Sequence, residues 1–199
     1  MTGDLGPYRQ RRDFRRTAEP SGEEVPPPGD SPRFVIQHHD ASSEHYDFRL
    51  EIDGVLVSWA VPKGPSTDPR ERRLAVRTED HPVDYLDFEG TIPEDEYGGG
   101  SVIVWDIGTY ENRTTSDEDA IPAADAVEAG HLNVHLDGHK LQGGYTLQRI
   151  RNDEDEWLLI KRDDEGADAR RRPTSTQPES VLSGHTVDDV ADDVADDDR

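Results

Sequence analysis

Short runs of alternating apolar and polar residues occupy most of the chain between residues 33 and 162. Successive side chains of a strand point to opposite faces, so this alternation is typical of strands with one buried face. β-branched and aromatic residues are frequent in the runs, as is usual for strands. We predict strands over 33–37, 46–52, 55–61, 73–79, 101–107, 109–112, 132–137, 145–150 and 156–162.

Turn signals between the runs indicate how the strands connect. Asp53-Gly54 and Asp137-Gly138 are typical of tight hairpin turns, and residues 152–156 predict a polar loop. Only 119–130 has a helical pattern, which Gly130 is expected to end. About eight or nine strands joined by hairpins predict a mainly β fold, either an antiparallel barrel or a sandwich.

The two flanks of this region differ from it in composition. Residues 1–32 are polar, with an arginine cluster over 9–16 and then a Gly/Pro-rich stretch, and they predict an extended arm with a linker. Residues 163–199 lack aromatic residues and carry twelve acids and four arginines. This composition predicts a disordered tail, with a weak terminal helix as the alternative. The expected division is therefore an arm (1–32), a folded domain (33–162) and an acidic tail (163–199).

Composition narrows the class of protein. The chain has no cysteine, which excludes disulfides, thiolate metal sites and thiol catalysis. No apolar run is long enough for a signal peptide or a membrane span, so a cytoplasmic protein without a membrane partner is expected. The net charge is -23, with three lysines against nineteen arginines. The strand pattern argues against a disordered acidic protein, and the acid excess with scarce lysine favours a protein from a high-salt cell.

Residues 45–51 carry the candidate chemistry. Strand alternation sends His45, Asp47 and Arg49 to one face, and His39 lies one short turn upstream. Two imidazoles and a carboxylate suit a divalent transition metal with open positions, and an adjacent guanidinium suits a phosphate oxygen. The residues alone therefore predict metal-assisted chemistry on a phosphate ester.

The stretch from Phe34 to Tyr110 resembles the 3′-phosphoesterase domain of end-joining DNA ligases (ligase D) and its stand-alone archaeal relatives. The matching sequences are FVIQHHDASSEHYDFRLEIDGVLVSWAVPKGPS and DHPVDYLDFEGTIPEDEYGGGSVIVWDIGTYE. YRQRRDFRRTAEPSG in the arm and PESVLSG in the tail add to the resemblance. No ligase motif of the Lys-x-Asp-Gly type is present, and the length leaves no room for a polymerase module, so a free-standing version is expected.

The resemblance implies a compact antiparallel β-barrel of about eight strands with one or two short helices. It also implies a manganese-dependent activity, with other divalent transition metals as alternatives, at DNA or RNA-tailed DNA 3′ ends. The family removes a 3′-terminal ribonucleoside in a phosphodiesterase step and then takes off the 3′-phosphate. The implied partners are a separate ligase and polymerase of an end-joining system.

The resemblance further assigns roles to individual residues. It implies that the metal ligands are His39, His45 and Asp47, and that Arg49 and His81 contact the phosphate and act in catalysis, with Tyr85, Glu79 and Gln37 in support. Arg12, Asp13 and Glu19 match residues of the diesterase step, and Lys63 and Arg73 match basic positions near the substrate. As an imidazolium, His81 would protonate the leaving oxygen or stabilise the charged transition state, and Glu79 would orient it.

Other polar motifs are interpreted as structural. They are His38 on the opposite strand face, the hairpin glycines 98–100, the histidines 131, 135 and 139 in a strand and turn, and the solvated arginines 170–172. Two alternative functions remain open at this level. The first is a non-haem iron oxygenase, because two histidines and a carboxylate also suit ferrous iron. The second is a non-catalytic subunit that binds DNA ends or a ligase.

Overall fold

A single β-sheet that closes on itself forms the centre of the computed structural model, which describes residues 3–23, 27, 29–150 and 155–197. Its strands and the smaller ones beside it are β1 Arg33–Asp40, β2 His45–Ile52, β3 Val55–Val61, β4 Arg72–Arg77, β5 His81–Pro82, β6 Gly90–Ile92, β7 Gly100–Asn112, β8 Thr115–Ser116, β9 Asp119–Ala120, β10 His131–Gly138, β11 Gln142–Arg149 and β12 Glu156–Lys161. The helices are α1 Gly6–Gln10, α2 Ala123–Ala129, α3 Pro173–Thr176 and α4 Val187–Asp197, and a 3-10 helix spans Val83–Asp87.

Strand order shows that the fold is a barrel rather than a sandwich. The path runs β1, β2, β3, β4, β12, β11, β10 and β7, and β7 pairs with β1, so eight antiparallel strands form a closed ring. Closure removes the unpaired sheet edges that a sandwich keeps. The mainly β prediction and the barrel that the resemblance implies are both confirmed.

Two apolar layers pack on opposite sides of the barrel wall. The interior layer takes alternate residues of each strand, including Phe34 and Phe48, and three buried tryptophans, Trp59, Trp105 and Trp157. A second layer covers the outer surface of β1, β3 and β7 and consists of Tyr8, Val35, Leu56, Val83, Tyr85, Leu86, Phe88, Ile92, Val102 and Val104. Polar side chains that point outward from β1 and β2 are therefore also shielded from water, which positions the site described below.

The turns agree with the sequence only in part. Asp53 and Gly54 have φ values of 50° and 82° and join β2 to β3, as a hairpin with two left-handed residues requires. Gly130 ends α2 in the left-handed conformation, as predicted. The hairpin predicted from Asp137-Gly138 is present between β10 and β11, but its turn lies later, over 139–141, because Asp137 and Gly138 still pair with Gln142 and Gly108 inside β10. The two runs predicted over 101–112 form one strand, β7, and most of the predicted 152–156 loop lies outside the described residues.

The amino-terminal arm is packed rather than extended. Tyr8 of α1 is fully buried, and its hydroxyl donates to the Pro20 carbonyl at 2.6 Å. Its ring lies against Phe14, 5.9 Å between centroids, so the arm folds back on itself. The expectation of an extended arm is wrong because two aromatic residues scattered among arginines give no periodic signal, yet they join the outer apolar layer.

The acidic tail is also attached to the barrel, which corrects the expectation of disorder over its described residues. The Trp105 indole donates to the Gln177 carbonyl at 2.8 Å, and Lys140 Nζ donates to the Gln177 carbonyl at 2.9 Å and to the Glu179 carbonyl. Val187 at the start of α4 is buried. The composition of the tail could not predict these contacts, because the tail contributes backbone carbonyls, which every residue has.

Deleting residues 166–199 is expected to lower the melting temperature by roughly 5–15 °C. The deletion leaves the Trp105 and Lys140 donors without their acceptors, and each buried unpaired donor costs about 1–3 kcal/mol. Circular dichroism melts of the full chain and the deletion measure the change. Removing only residues 193–199 is the matched control, since it keeps both carbonyl acceptors. A melting temperature that stays within about 2 °C in the long deletion would contradict a structural role for the tail.

The helices of the described residues include none that is both long enough and apolar enough to cross a membrane.

Candidate metal centre and its surroundings

Two histidines and an aspartate converge where β1 ends and β2 begins. The antiparallel register sets His39 opposite His45 and Gln37 opposite Asp47, so all three side chains share the outer face of the barrel. The potential ligand atoms of His39, His45 and Asp47 lie within 4.8 Å of one another. His39 Nδ1 is 3.5 Å from Asp47 Oδ2, and His45 Nε2 is 3.6 Å from Asp47 Oδ1. The sequence prediction that these residues come together is therefore confirmed.

Backbone carbonyls fix the orientation of both imidazoles. His39 Nε2 lies 2.8 Å from the Gly98 carbonyl, and His45 Nδ1 lies 2.8 Å from the Ser43 carbonyl. A carbonyl oxygen only accepts, so these ring nitrogens carry the hydrogens. The other ring nitrogens, His39 Nδ1 and His45 Nε2, face Asp47 and are the atoms available to a metal. Metal-binding histidines are oriented in this way, and the donor set suits a divalent transition metal.

Asp47 is ionised although it is buried. Burial by itself would raise the pKa of its carboxyl, but Arg49, His39 and His45 outweigh that effect and hold the pKa well below the usual range. Arg49 Nη2 lies 3.0 Å from Asp47 Oδ2. The centre thus places a fixed negative charge beside two imidazole nitrogens, which is the combination that a metal cation needs.

Arg49 is held by Gln37 and Asp47 and leaves one donor free. Its Nε donates to Gln37 Oε1 at 2.8 Å, and Gln37 Nε2 donates to the carbonyls of Tyr85 and Phe88 at 3.1 and 3.0 Å. Arg49 Nη1 is buried and has no hydrogen-bond partner among the described residues. A buried donor without a partner is costly, and a bound anion beside Asp47 would satisfy it.

His81 stands next to this arginine but is neutral. Burial, and then the charges of Arg49 and Arg12, hold the pKa of His81 well below its usual value. Its Nδ1 donates to the Glu79 carbonyl at 3.0 Å, so Nε2 carries a lone pair, and Arg12 Nη2 lies 3.4 Å from it. With a lowered pKa His81 is a proton acceptor, in place of the imidazolium that the resemblance implies.

Glu79 supports His81 through its backbone and not through its carboxylate. Glu79 Oε1 pairs with Arg12 Nη1 at 3.2 Å, and Glu79 Oε2 pairs with Arg11 Nη1 at 3.1 Å. The expectation that the carboxylate orients the imidazole is wrong, because β4 ends at Arg77 and His81 begins the separate strand β5. Glu79 and His81 consequently do not share the face of one continuous strand.

Tyr85 connects the arm to the centre. Its ring centroid is 4.9 Å from that of His81 and 5.1 Å from Arg49 Cζ. Its hydroxyl donates to Glu19 Oε1 at 3.0 Å, and Arg12 Nε donates to the same oxygen at 2.8 Å. Burial, and then Glu19, raise the pKa of Tyr85 well above its usual value, so the phenol stays protonated. The arm residues Arg12 and Glu19 are thus brought to the centre.

Three predicted residues lie away from the cluster. Asp13 pairs with the exposed Arg15 at 2.9 Å, Arg73 pairs with Glu71 at 2.6 Å, and Lys63 is exposed. In the described part of the chain, none of the three contacts the histidines or Asp47. Any role for them in binding therefore concerns parts of a substrate remote from the metal ligands.

Sequence reasoning missed several groups that shape the centre. Tyr8 packs under Arg12, 3.9 Å from ring centroid to Cζ, and 5.0 Å from the His81 ring. The carbonyls of Ser43 and Gly98 orient the two histidines, and neither has a sequence signature. Tyr97, next to Gly98, accepts a hydrogen bond from Arg11 at 2.7 Å and thereby joins the glycine loop to the arm.

Comparison with known proteins gives a consistent set of relatives. The family model described as the DNA Ligase D 3′-phosphoesterase domain matches residues 37–149. The multifunctional non-homologous end joining protein LigD of Pseudomonas aeruginosa is 48% identical over 190 residues, which are 92% of this chain and 22% of that protein. The corresponding DNA repair protein of Mycobacterium tuberculosis is 47% identical over 151 residues, 76% of this chain and 19% of that protein. The protein LigD of Mycolicibacterium smegmatis is 44% identical over 180 residues, 90% of this chain and 23% of that protein. The chain thus spans about a fifth of the length of these curated relatives.

Proposed function

The chain belongs to the DNA ligase D 3′-phosphoesterase domain family, and on this premise we propose that it is a metal-dependent phosphoesterase acting on DNA 3′ ends. The observation that carries the proposal is the free buried donor of Arg49 beside the cluster of His39, His45 and Asp47. A phosphate oxygen placed there would meet both the guanidinium and the metal position. Neither a purely structural ion pair nor a simple metal store needs that combination.

The proposed chemistry uses water as the nucleophile. When bound, a divalent metal supplies Lewis-acid polarisation of the phosphoryl group. Arg49 Nη1 neutralises charge that builds on a phosphoryl oxygen, and Gln37 keeps the guanidinium in place. His81, which is neutral with its lone pair on Nε2, accepts the proton that the attacking water loses as the bond from phosphorus to the leaving oxygen breaks, and returns that proton to the leaving oxygen. Tyr85 and Glu19 position the arm residue Arg12 against that nitrogen.

We propose manganese as the metal and two successive steps as the activity. The first removes a terminal ribonucleoside and the second removes the 3′-phosphate it leaves. The contacts of Arg12 and Glu19 with the centre support a role of the arm in the first step. The end-joining names of the relatives support a place beside a ligase and a polymerase in that pathway. Stand-alone organisation and an archaeal, salt-adapted source stay predictions of the sequence.

The decisive assay uses a primer-template whose primer ends in one ribonucleotide, with and without manganese, in low and molar KCl. We expect manganese-dependent loss of the ribonucleoside followed by loss of the 3′-phosphate, and an all-deoxy 3′-hydroxyl primer should resist. The activity is expected to persist in molar salt, where the Debye length falls to about 3 Å and the acidity no longer repels DNA. Unchanged ribonucleotide primers under all conditions would contradict the proposal.

The same assay separates the alternatives. A non-catalytic end-binding subunit would hold the primer without changing it, whereas the proposed enzyme with His81→Ala should bind but not process it. An iron oxygenase would need ferrous iron and a keto acid. The buried side chains of Arg12 and Arg49 favour an anionic substrate instead, because they supply positive charge where a phosphate would lie.

A further inference from the structure

Two segments distant in sequence join at one end of the barrel. The Asp168 amide donates to the Thr67 carbonyl at 2.9 Å, and Thr67 Oγ1 donates to the carbonyls of Asp168 and Arg171 at 2.8 and 3.2 Å. These bonds fasten the tail segment 168–172 to the loop that connects β3 and β4. The arginines 170–172, which the sequence predicts to be solvated, therefore have a defined place in the fold.

The joined segments carry positive charge in a strongly acidic chain. Residues 63–73 contain four basic and two acidic residues, and residues 168–172 contain three and one, which gives +4 against -23 for the whole chain. We name the exposed members, Lys63, Arg70, Arg72, Arg170 and Arg172, the basic rim. The side chains of Arg70 and Arg170 are 80% and 93% exposed.

Three members of the basic rim are free to meet an external anion. Arg70 and Arg170 pair with Asp68 and Asp168, which are already included in the charge count. Arg172 Nη1 donates only to the carbonyls of Ala169 and Arg171. Lys63, Arg72 and Arg172 form no ion pair within the residues that the structure describes. An outward-facing surplus of cations in such an acidic protein indicates a polyanionic partner.

The basic rim lies at the same end of the barrel as the metal cluster. Val61, the last residue of β3, pairs with Tyr46, which lies between His45 and Asp47 in sequence. Gly64, in the loop after β3, lies between Tyr46 of β2 and Thr174, which follows the tail segment. A methyl group in place of its hydrogen would lie 2.9 Å from the Tyr46 ring and 2.8 Å from Thr174 Cγ2. The loop and the tail therefore both pass beside the strand end that carries His45.

We propose that the basic rim binds the phosphate backbone of the nucleic-acid strand whose 3′ end enters the metal centre. The inference rests on the proposed function and adds a second contact surface to it. Backbone phosphates contact arginine and lysine without regard to base sequence, and such contacts fix register on the strand. The rim would thus hold the body of the substrate while the centre described above acts on its last phosphate.

Charge reversal tests the proposal on the full chain. The rim variant Arg72→Glu/Arg172→Glu, which reverses the charge of two unpaired members, is compared with Arg113→Glu, a control whose side chain is 55% exposed and paired with Glu111. Arg113 follows β7, which pairs with the start of β1, so it lies at the barrel end opposite His39. Fluorescence anisotropy gives the affinity for a long primer-template duplex, and turnover is measured on that duplex and on a trinucleotide 3′-phosphate.

The rim variant is expected to bind the duplex about tenfold or more weakly at low salt. The slope of log affinity against log salt concentration should become shallower by about one for each phosphate that the rim no longer binds. The trinucleotide should be processed as by wild type, and Arg113→Glu should resemble wild type throughout. Unaltered duplex affinity in the rim variant would overturn the proposal, as would an equal loss of turnover on the trinucleotide. Absence of DNA binding by the wild type would overturn it in favour of an acidic protein partner.

The experiment separates this inference from the proposed function. If the wild type binds duplex through the rim but turns over neither substrate, the rim stands and the phosphoesterase proposal fails. If the wild type processes both substrates and the rim variant binds duplex as tightly as the wild type, the phosphoesterase proposal stands and the rim proposal fails. The melting temperature of each variant is measured to establish that the variant is folded, so that a loss of binding reflects the lost charge.

Discussion

His45→Ala and Asp47→Asn are each expected to lower turnover at least about a thousandfold, equivalent to about 4 kcal/mol of transition-state stabilisation. Each removes one member of the cluster that His39, His45 and Asp47 form. Asp47→Asn also removes the negative charge that balances Arg49 and a metal cation. Calorimetric titration with manganese should show greatly weakened binding in both variants, because a metal that loses one of its protein ligands is held less tightly.

His38 provides the matched control for this prediction. It neighbours His39, but its ring stacks on Tyr46 at 4.4 Å between centroids, and it is not part of the cluster. His38→Phe preserves the stacking and should leave manganese affinity near the wild-type value. If both His45→Ala and Asp47→Asn bound manganese with wild-type affinity, the assignment of these residues as metal ligands would be wrong.

The sequence predicted the core of this centre because the relevant information is local. Alternation along β2 fixes which residues share a face, so His45, Asp47 and Arg49 were placed together correctly from seven consecutive positions. The hairpin between β2 and β3 was equally local, since Asp53 and Gly54 determine it. The convergence of His39 was expected because it lies one short turn upstream of His45.

What the sequence could not predict depends on contacts between distant segments. The Gly98 carbonyl that orients His39 is 59 residues away, and the Gln177 carbonyl that accepts from Trp105 is 72 residues away. Any residue can provide such a carbonyl, so composition gives no sign of it. Strand alternation likewise could not distinguish a barrel from a sandwich, because the distinction is a single pairing, β1 with β7.

Glu79 and His81 show how a local rule fails when a strand stops early. Their spacing predicts a shared face only if the strand continues, but the chain leaves β4 at Arg77 and starts β5 at His81. The released Glu79 carboxylate instead meets Arg11 and Arg12 of the arm. Burial and the charge of Arg49 hold the pKa of His81 low, and the charge of Arg12 in the arm adds to their effect.

Arg49→Lys is expected to lower turnover by roughly tenfold to a thousandfold, about 1.4–4 kcal/mol, while manganese affinity changes little. The guanidinium makes two contacts at once, with Gln37 through Nε and with Asp47 through Nη2, and it keeps Nη1 free for the substrate. A lysine ammonium is a point charge and cannot reproduce this fork geometry. The lysine ammonium would keep an ion pair with Asp47 and would leave Gln37 Oε1 without its hydrogen-bond donor.

Arg33→Lys tests whether the loss is specific to the centre. Arg33, also on the barrel wall, binds Glu51 through Nε at 2.7 Å and Nη2 at 2.8 Å, so the exchange disturbs a comparable paired guanidinium away from the metal ligands. We expect wild-type turnover in Arg33→Lys. In Arg49→Lys, we expect weaker inhibition by inorganic phosphate in parallel with the lower rate, since both depend on the same Nη1 donor. Because the lysine keeps the positive charge near His81, the imidazole should stay neutral and the pH profile should keep its shape. Activity of Arg49→Lys within about twofold of wild type would show that Arg49 is a structural partner of Asp47 rather than the group that grips the phosphate.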